Sequence, residues 1–204
     1  MHLYKKLFLI IFISISPNLV AEYEIKINFE SGFELESQQL LISILKTANS
    51  KRQIENVIRS QDWIKNYSII QKPFQNKIFI NIENREPIFV LNNQFFYDED
   101  LYKFKFDQSY KDIVSVDAPV EFVEQILEII TRVEKITKVQ SIKYSFANGW
   151  DVRIENSLIR FGKEITEKKL QNFEDTMNYL FEIRKNPSII DIRYKNGVAL
   201  KYGK

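Results

Sequence analysis

The chain has 204 residues, no cysteine, a single histidine and a formal net charge of +2. Without cysteine, disulfides, thiol catalysis and thiolate metal sites are excluded. The one histidine, His2, precedes an apolar N-terminal run, so no other part of the chain supplies a histidine base or metal ligand. Five scattered glycines form no phosphate-binding loop, and the small, dispersed charge argues against nucleic-acid binding. We expect no cofactor and no enzymatic activity, although a hydrolase that uses only carboxylates stays open.

The N-terminus combines two lysines with a following apolar run. Residues 7–21 are mostly Leu, Ile and Phe, and Pro17 interrupts them. The basic start, the short run and the small residue Ala21 are typical of a cleaved secretory signal, whereas a membrane anchor needs about 20 apolar residues. Under both interpretations, residues 1–6 form a short cytoplasmic tail and the rest of the chain lies outside the cytoplasm.

Residues 22–86 predict a small module in the order strand, helix, helix, strand, strand. The two outer strands carry apolar residues at every second position, and the helices carry them at a spacing of three and four. The signals are, in order, the alternation from Tyr23 to Phe29, a turn at Ser31-Gly32, helical spacing from Leu35 to Ala48 and from Ile54 to Ile58, a strand from Ser68 to Gln71, and a strand with Ile78, Ile80 and Ile82 on one face.

Residues 87–204 predict a second domain, an antiparallel sheet with two helices on one face. The whole chain is therefore expected to be α+β. Pro87 marks the seam between the modules. The main signals are short strands around Asn92-Asn93, a solvated acidic turn at residues 98–100 rather than a cation site, an irregular stretch at 103–111, the longest helix after Asp117-Ala118-Pro119, strands between Val139 and Gly162, and a helix capped by Thr166.

The C-terminal stretch from Ile189 to Tyr202 holds two β-favouring runs around Asn196-Gly197. This dipeptide predicts a tight type I′ hairpin, because both central residues of that turn need positive φ. A strand near the end of a chain often lies at a sheet edge, where its unpaired backbone groups can bind another chain. The hairpin is expected either to form such a working edge or only to close the sheet.

The order of these signals resembles the bacterial cell-division family FtsQ, called DivIB in Gram-positive bacteria. The resemblance extends over nearly the whole chain and rests on the arrangement of several motifs behind one apolar segment. The matching motifs are Trp63-Ile64 in the family's POTRA module, Arg85-Glu86-Pro87-Ile88 at its junction to the β domain, Trp150-Asp151-Val152-Arg153-Ile154 followed by Phe161-Gly162 in the β domain, and Ile190-Asp191-Ile192-Arg193-Tyr194 followed by Gly197 in the final hairpin.

The resemblance implies a non-enzymatic, single-pass protein of the inner membrane, anchored by residues 7–21, with a periplasmic body that gathers at midcell. Residues 22–86 would be the POTRA module that recruits other division proteins, and residues 87–204 the β domain. The edge of the β domain would bind FtsB, which brings FtsL, and so link early and late septal proteins. The partner surface carried over by position consists of Arg193, Tyr194, Gly197, Val198, Ala199, Leu200 and Tyr202.

Physical chemistry favours the same surface. A partner strand added to a free edge gains affinity from main-chain hydrogen bonds. Tyr194 and Tyr202 supply the large amphipathic side chains common at binding hot spots, and Arg193 supplies a multidentate donor. The alternative is a POTRA-containing export or assembly factor of the periplasm, which would hold substrate strands through the edge near residues 69–71 or 78–82.

Overall fold

A computed structural model describes residues 23–30, 36–108, 110, 112–195 and 197–203. The predicted tail and anchor or signal segment, the turn at Ser31-Gly32 and the hairpin residue Asn196 lie outside this range. Within it, no helix has the length and apolar character needed to cross a bilayer. The fold is mixed α+β, and it divides into two compact units, one ending at Asn84 and the other beginning at Arg85.

The first unit packs two helices with a three-stranded sheet in the order β1-β3-β2. Strand β1 runs parallel to the central strand β3, and β2 runs antiparallel to it. The elements are β1 (Glu24–Phe29), α1 (Glu36–Lys46), α2 (Lys51–Arg59), β2 (Ile64–Lys72), a 3₁₀ turn (Pro73–Gln75) and β3 (Lys77–Asn84).

Alternation and capping explain these elements. The predicted apolar face of β3 is confirmed, because Ile78, Ile80 and Ile82 are all fully buried. Helix α2 begins where the Ser50 hydroxyl accepts a hydrogen bond from the Gln53 N–H at 3.3 Å, which satisfies one of the free donors of the first turn. Strand β2 is nine residues long, more than twice its predicted length.

The second unit contains a nine-stranded sheet in the order β12-β11-β10-β9-β8-β7-β4-β5-β6. Its elements are β4 (Phe89–Leu91), β5 (Phe95–Tyr97), β6 (Lys103–Lys105), β7 (Val114–Asp117), a 3₁₀ turn (Val120–Phe122), α3 (Val123–Glu134), β8 (Val139–Ser145), β9 (Gly149–Ile154), β10 (Leu158–Gly162), α4 (Glu167–Glu182), β11 (Ile189–Asp191) and β12 (Ala199–Lys201).

The prediction of an antiparallel sheet is wrong, because the sheet is mixed. Strand β7 is parallel to both β4 and β8, and β10 is parallel to β11. Parallel neighbours need a crossover connection. Helix α3 supplies the crossover between β7 and β8, and α4 supplies the one between β10 and β11. The sequence patterns did not predict strands β6 and β7. Strand β6 lies in residues 103–111, which were expected to be irregular.

Both helices lie on the same face of this sheet, as predicted. Arg132 of α3 forms ion pairs with Glu167 and Glu174 of α4 at 2.7 and 3.1 Å, so the helices lie side by side. The predicted cap of α4 is confirmed, since the Thr166 hydroxyl accepts from the Lys169 N–H. The predicted rank of α3 as the longest helix is wrong, because its first turn is a 3₁₀ turn and α4 is longer.

The acidic turn at residues 98–100 is not simply solvated. Asp98 is buried, and its Oδ1 accepts hydrogen bonds from the backbone N–H groups of Asp100 and Tyr102. Its Oδ2 lies 2.8 Å from Nη1 of Arg85, whose guanidinium stacks on the Tyr102 ring at 3.6 Å. The Asp98 carboxylate therefore stabilises this turn through hydrogen bonds from its backbone and through an ion pair with Arg85.

The predicted type I′ turn at the C-terminus is also wrong. Strands β11 and β12 do pair antiparallel, but Ile190 faces Leu200, so the connection, called here the β11–β12 loop, runs from Ile192 to Val198, and Asn196 within it lies outside the described residues. Gly197 does not have the positive φ that a type I′ turn requires. In this register Asp191 faces Ala199, and Arg193 and Tyr194 lie in the loop.

The close approach of Gly149 to Gly162 makes a substitution at Gly149 a test of how the ends of β9 and β10 pack. Its φ is +79°, and an added Cβ would lie 2.0 Å from the backbone carbon of Gly162. We expect Gly149→Ala to lower the free energy of unfolding by more than about 2 kcal/mol, measured by urea denaturation. Gly197→Ala is the matched control, since a Cβ there meets nothing within 4 Å. Equal stability of the two variants would contradict this packing.

Candidate partner-binding edge

Strand β12 forms one edge of the nine-stranded sheet. It pairs with β11 through three residue pairs, Ile189 with Lys201, Ile190 with Leu200 and Asp191 with Ala199. The Ser188 N–H donates to the Lys201 carbonyl at 2.7 Å and so fastens the far end of the strand. No strand in the described part of the chain pairs with the other side of β12, so alternate N–H and C=O groups there point away from the sheet.

The structure brings all seven residues of the predicted partner surface to this edge. Arg193, Tyr194, Gly197 and Val198 lie in the β11–β12 loop, Ala199 and Leu200 lie in β12, and Tyr202 follows the strand. These seven residues differ in how far they are exposed. Tyr194 and Tyr202 have 55% and 46% of their surface exposed, and Gly197 and Ala199 are also exposed.

Two members of the surface face inward. Val198 and Leu200 are half-buried and pack against the core of the second unit. Their role at this edge is to seat β12 and its loop on the core, because buried apolar area stabilises contact with the sheet. The exposed members are therefore the two tyrosine rings, the backbone around Gly197 and Ala199, and Arg193, whose side chain is 38% exposed.

Arg193 is engaged within the chain. Its guanidinium forms a fork with the carboxylate of Asp191, through Nε at 2.8 and 3.1 Å and through Nη2. The multidentate donor that the sequence predicts for a partner is thus already paired. Sequence reasoning passed over Asp191, although its spacing of two from Arg193 at the end of a strand places both side chains on one face.

Charges on the open sheet face compensate one another. Five residues from five neighbouring strands stand directly beside each other with alternating sign, and we call them the charge row: Asp117, Lys143, Asp151, Arg160 and Asp191. Ion pairs join the first two at 3.5 Å and the next two at 3.8 Å. The row ends against Ala199 of β12, which is uncharged. Opposite charges on facing positions stabilise a sheet and leave little net field for a partner.

The two aspartates nearest the edge have opposite pKa shifts. Burial raises the pKa of Asp151, while the nearby guanidinium of Arg160 acts in the other direction. Hydrogen bonds from Arg193 lower the pKa of Asp191 against its own burial. The negative charge is therefore disfavoured at Asp151 and stabilised at Asp191.

The opposite edge of the sheet is protected. Strand β6 exposes Lys103 and Lys105 and buries Phe104 between them, and the Lys103 ammonium lies 4.6 Å from the Phe95 ring centroid. Lysines on an edge strand discourage pairing with another chain. Strand β12 exposes a single lysine, Lys201, beside Ala199. Of the two edges, β12 is the more open to an added strand.

Lys185 lies close to the β12 edge. Its ammonium lies 5.7 Å from the centroid of the Tyr202 ring, at the outer limit of a cation–π contact. It stands just beyond the C-terminal end of α4. Lys195 of the β11–β12 loop and Lys201 of β12 are also exposed.

Comparison with known proteins adds no family. No protein-family model matches the chain, and no curated protein matches it significantly. Within the described residues, no group of three or more histidine, cysteine, aspartate or glutamate side chains could hold a metal ion.

The opposite shifts predict opposite effects of substitution. Between the ordinary carboxyl pKa and the raised pKa of Asp151, the folded state binds more protons than the unfolded state, so stability falls as pH rises. Asp151→Asn should therefore raise the free energy of unfolding at pH 7, and the gain should vanish below about pH 4. The measurement is urea denaturation across this pH range.

Asp191→Asn is the control with the reverse sign. A lowered pKa contributes stability above the ordinary carboxyl pKa, and this stability is lost as pH falls through the folded-state pKa. The variant should be less stable than the wild type at pH 7 and should approach it in strong acid. Shifts of the same sign in Asp151→Asn and Asp191→Asn at pH 7 would contradict this electrostatic account.

Proposed function

We propose that the chain is a non-enzymatic scaffold of the bacterial division machinery that binds FtsB, and through it FtsL, by strand addition at β12. The observation that carries the proposal is the position of β12 at the edge of the nine-stranded sheet, with no described strand on its outer side. Tyr194 and Tyr202 flank this edge with exposed rings. An extended partner segment would complete the outward backbone groups and bury part of both rings.

The remaining parts of the proposal concern the N-terminal half. The first unit runs strand, helix, helix, strand, strand, and its proposed identity is a POTRA module that recruits other division proteins. Residues 7–21 would anchor the chain in the inner membrane, with residues 1–6 in the cytoplasm and the body in the periplasm. The protein would then gather at midcell and link early and late septal proteins.

Tyr194→Ala tests the edge. Because a tyrosine at the centre of an interface contributes through a large buried area, its loss should lower affinity for FtsB about tenfold or more. Affinity is measured by titration of the purified full-length chain, kept in detergent, with FtsB. Tyr179→Ala is the matched control, since Tyr179 lies on α4 with the same exposed fraction of 55% as Tyr194.

Two outcomes would count against the scaffold. Equal FtsB affinity of a well-folded Tyr194→Ala variant and the wild type would remove the edge as the binding site. A fluorescent fusion of the wild-type chain that stays dispersed in dividing cells would remove the division role. The N-terminal mass of the mature protein, measured alongside, distinguishes an anchor from a cleaved signal.

A second candidate function uses the edge of the first unit. Strand β2 is an edge strand of nine residues, with Ile70 half-exposed and Phe74 fully exposed just after it. Such an edge suits a periplasmic export or assembly factor that holds substrate strands. The other predicted edge, residues 78–82, lies in the central strand β3 and is already paired on both sides. Photocrosslinking from Ile70 to nascent outer-membrane proteins would favour this function.

A further inference from the structure

The Asp191 carboxylate binds both the main chain and the side chain of Arg193. The Arg193 N–H donates to Oδ1 of Asp191 at 3.2 Å, in addition to the fork between guanidinium and carboxylate. Asp191 is itself buried, with 8% of its surface exposed. A charged fork of this kind is stronger and more directional than a neutral hydrogen bond.

The stem of Arg193 points back over the sheet. A Cβ on Gly162, at the end of β10, would lie 3.2 Å from Cγ of Arg193 and 3.7 Å from its Cδ. The methylene groups therefore lie against the Gly162 backbone, and the guanidinium remains beside Asp191 on the open face. The side chain runs toward β10, away from the outer side of β12.

These contacts hold the start of the β11–β12 loop. The Ile192 N–H donates to the Arg160 carbonyl at 2.8 Å, which continues the pairing with β10 by one residue. Arg193 comes next, and Tyr194 follows it. Strand β12 pairs with β11 through three residue pairs and is fastened by Ser188 at its far end, so the course of this loop sets where the near end of β12 and the Tyr194 ring lie.

We propose that Asp191 and Arg193 are positioning residues, which lock the β11–β12 loop so that β12 and Tyr194 are held ready for a partner strand. Arg193 then acts through Asp191 and Gly162 and is not a ligand of the partner. The partner half of this inference rests on the proposed function. The half that concerns the order of β12 in the free protein does not.

Hydrogen exchange in the free, full-length chain tests the locking. Asp191→Asn and Arg193→Gln should each raise exchange in residues 197–203 about tenfold, and by a clearly larger factor than in residues 139–154 of the sheet centre, whose exchange follows global stability. The double variant should be no faster than either single variant, because both substitutions break one interaction. Arg153→Gln is the control, since it removes an arginine from the same sheet face.

Unchanged exchange in residues 197–203 of both single variants would overturn the inference. Exchange that rises by the same factor throughout the sheet would also overturn it, because the pair would then support the whole unit and not the edge.

Binding of FtsB separates positioning from direct contact. If Arg193 positions the edge, Asp191→Asn and Arg193→Gln weaken FtsB binding by similar factors, about fivefold or more each, and the double variant is no weaker. If Arg193 contacts the partner, Asp191→Asn frees it and binding is kept or improved, which would overturn the inference. Failure of the wild-type chain to bind FtsB would contradict the proposed function, and the exchange result would still decide the locking.

Discussion

The C-terminal edge depends on the parallel pairing of β11 with β10. Two parallel neighbours cannot be joined by a tight turn, so the chain leaves β10, crosses the core face as α4 and returns as β11. The Phe161 ring of β10 meets the Phe173 ring of α4 at 5.9 Å, and both are fully buried. This aromatic contact holds the crossover on the sheet. After β11 the chain reverses direction, and β12 becomes the outermost strand at this edge of the sheet.

The edge and the open face of the second unit offer a partner different chemistry. On the face, the charge row pairs each charge with its opposite, and Arg193 extends this compensation to Asp191. At the edge of β12, outward backbone groups and two exposed tyrosine rings are available. A partner that adds a strand gains hydrogen bonds without separating ion pairs, whereas one that covers the face would have to desolvate them.

Periodicity was sufficient to predict the buried faces of β3 and α4. The alternation of Ile78, Ile80 and Ile82 marks the buried face of β3, and the stripe from Leu170 to Leu180 marks the core side of α4. The same helical spacing in the sequence also includes Phe181, which is exposed in the structure. Strand β6 escaped notice because lysines flank its single buried apolar residue, Phe104.

The predicted site residues all lie at one edge of the sheet, but their individual contacts could be assigned only from the structure. Asn196-Gly197 suggested a tight turn, but β12 pairs with β11 in a register that leaves a longer loop. Arg193 had the chemistry of a partner ligand, and only the position of Asp191 and Gly162 shows what it contacts. Tertiary context decided the second point, since Gly162 lies far from Arg193 in the sequence.

The central claim is that the outer side of β12 is completed by a strand of FtsB. Hydrogen exchange of the wild-type full-length chain, with and without saturating FtsB, tests it most directly, because a new strand protects the backbone N–H groups with which it pairs. We expect protection in residues 197–203 and none in β6, at the other edge of the sheet. Protection at β6 or β2, with residues 197–203 unchanged, would contradict the account.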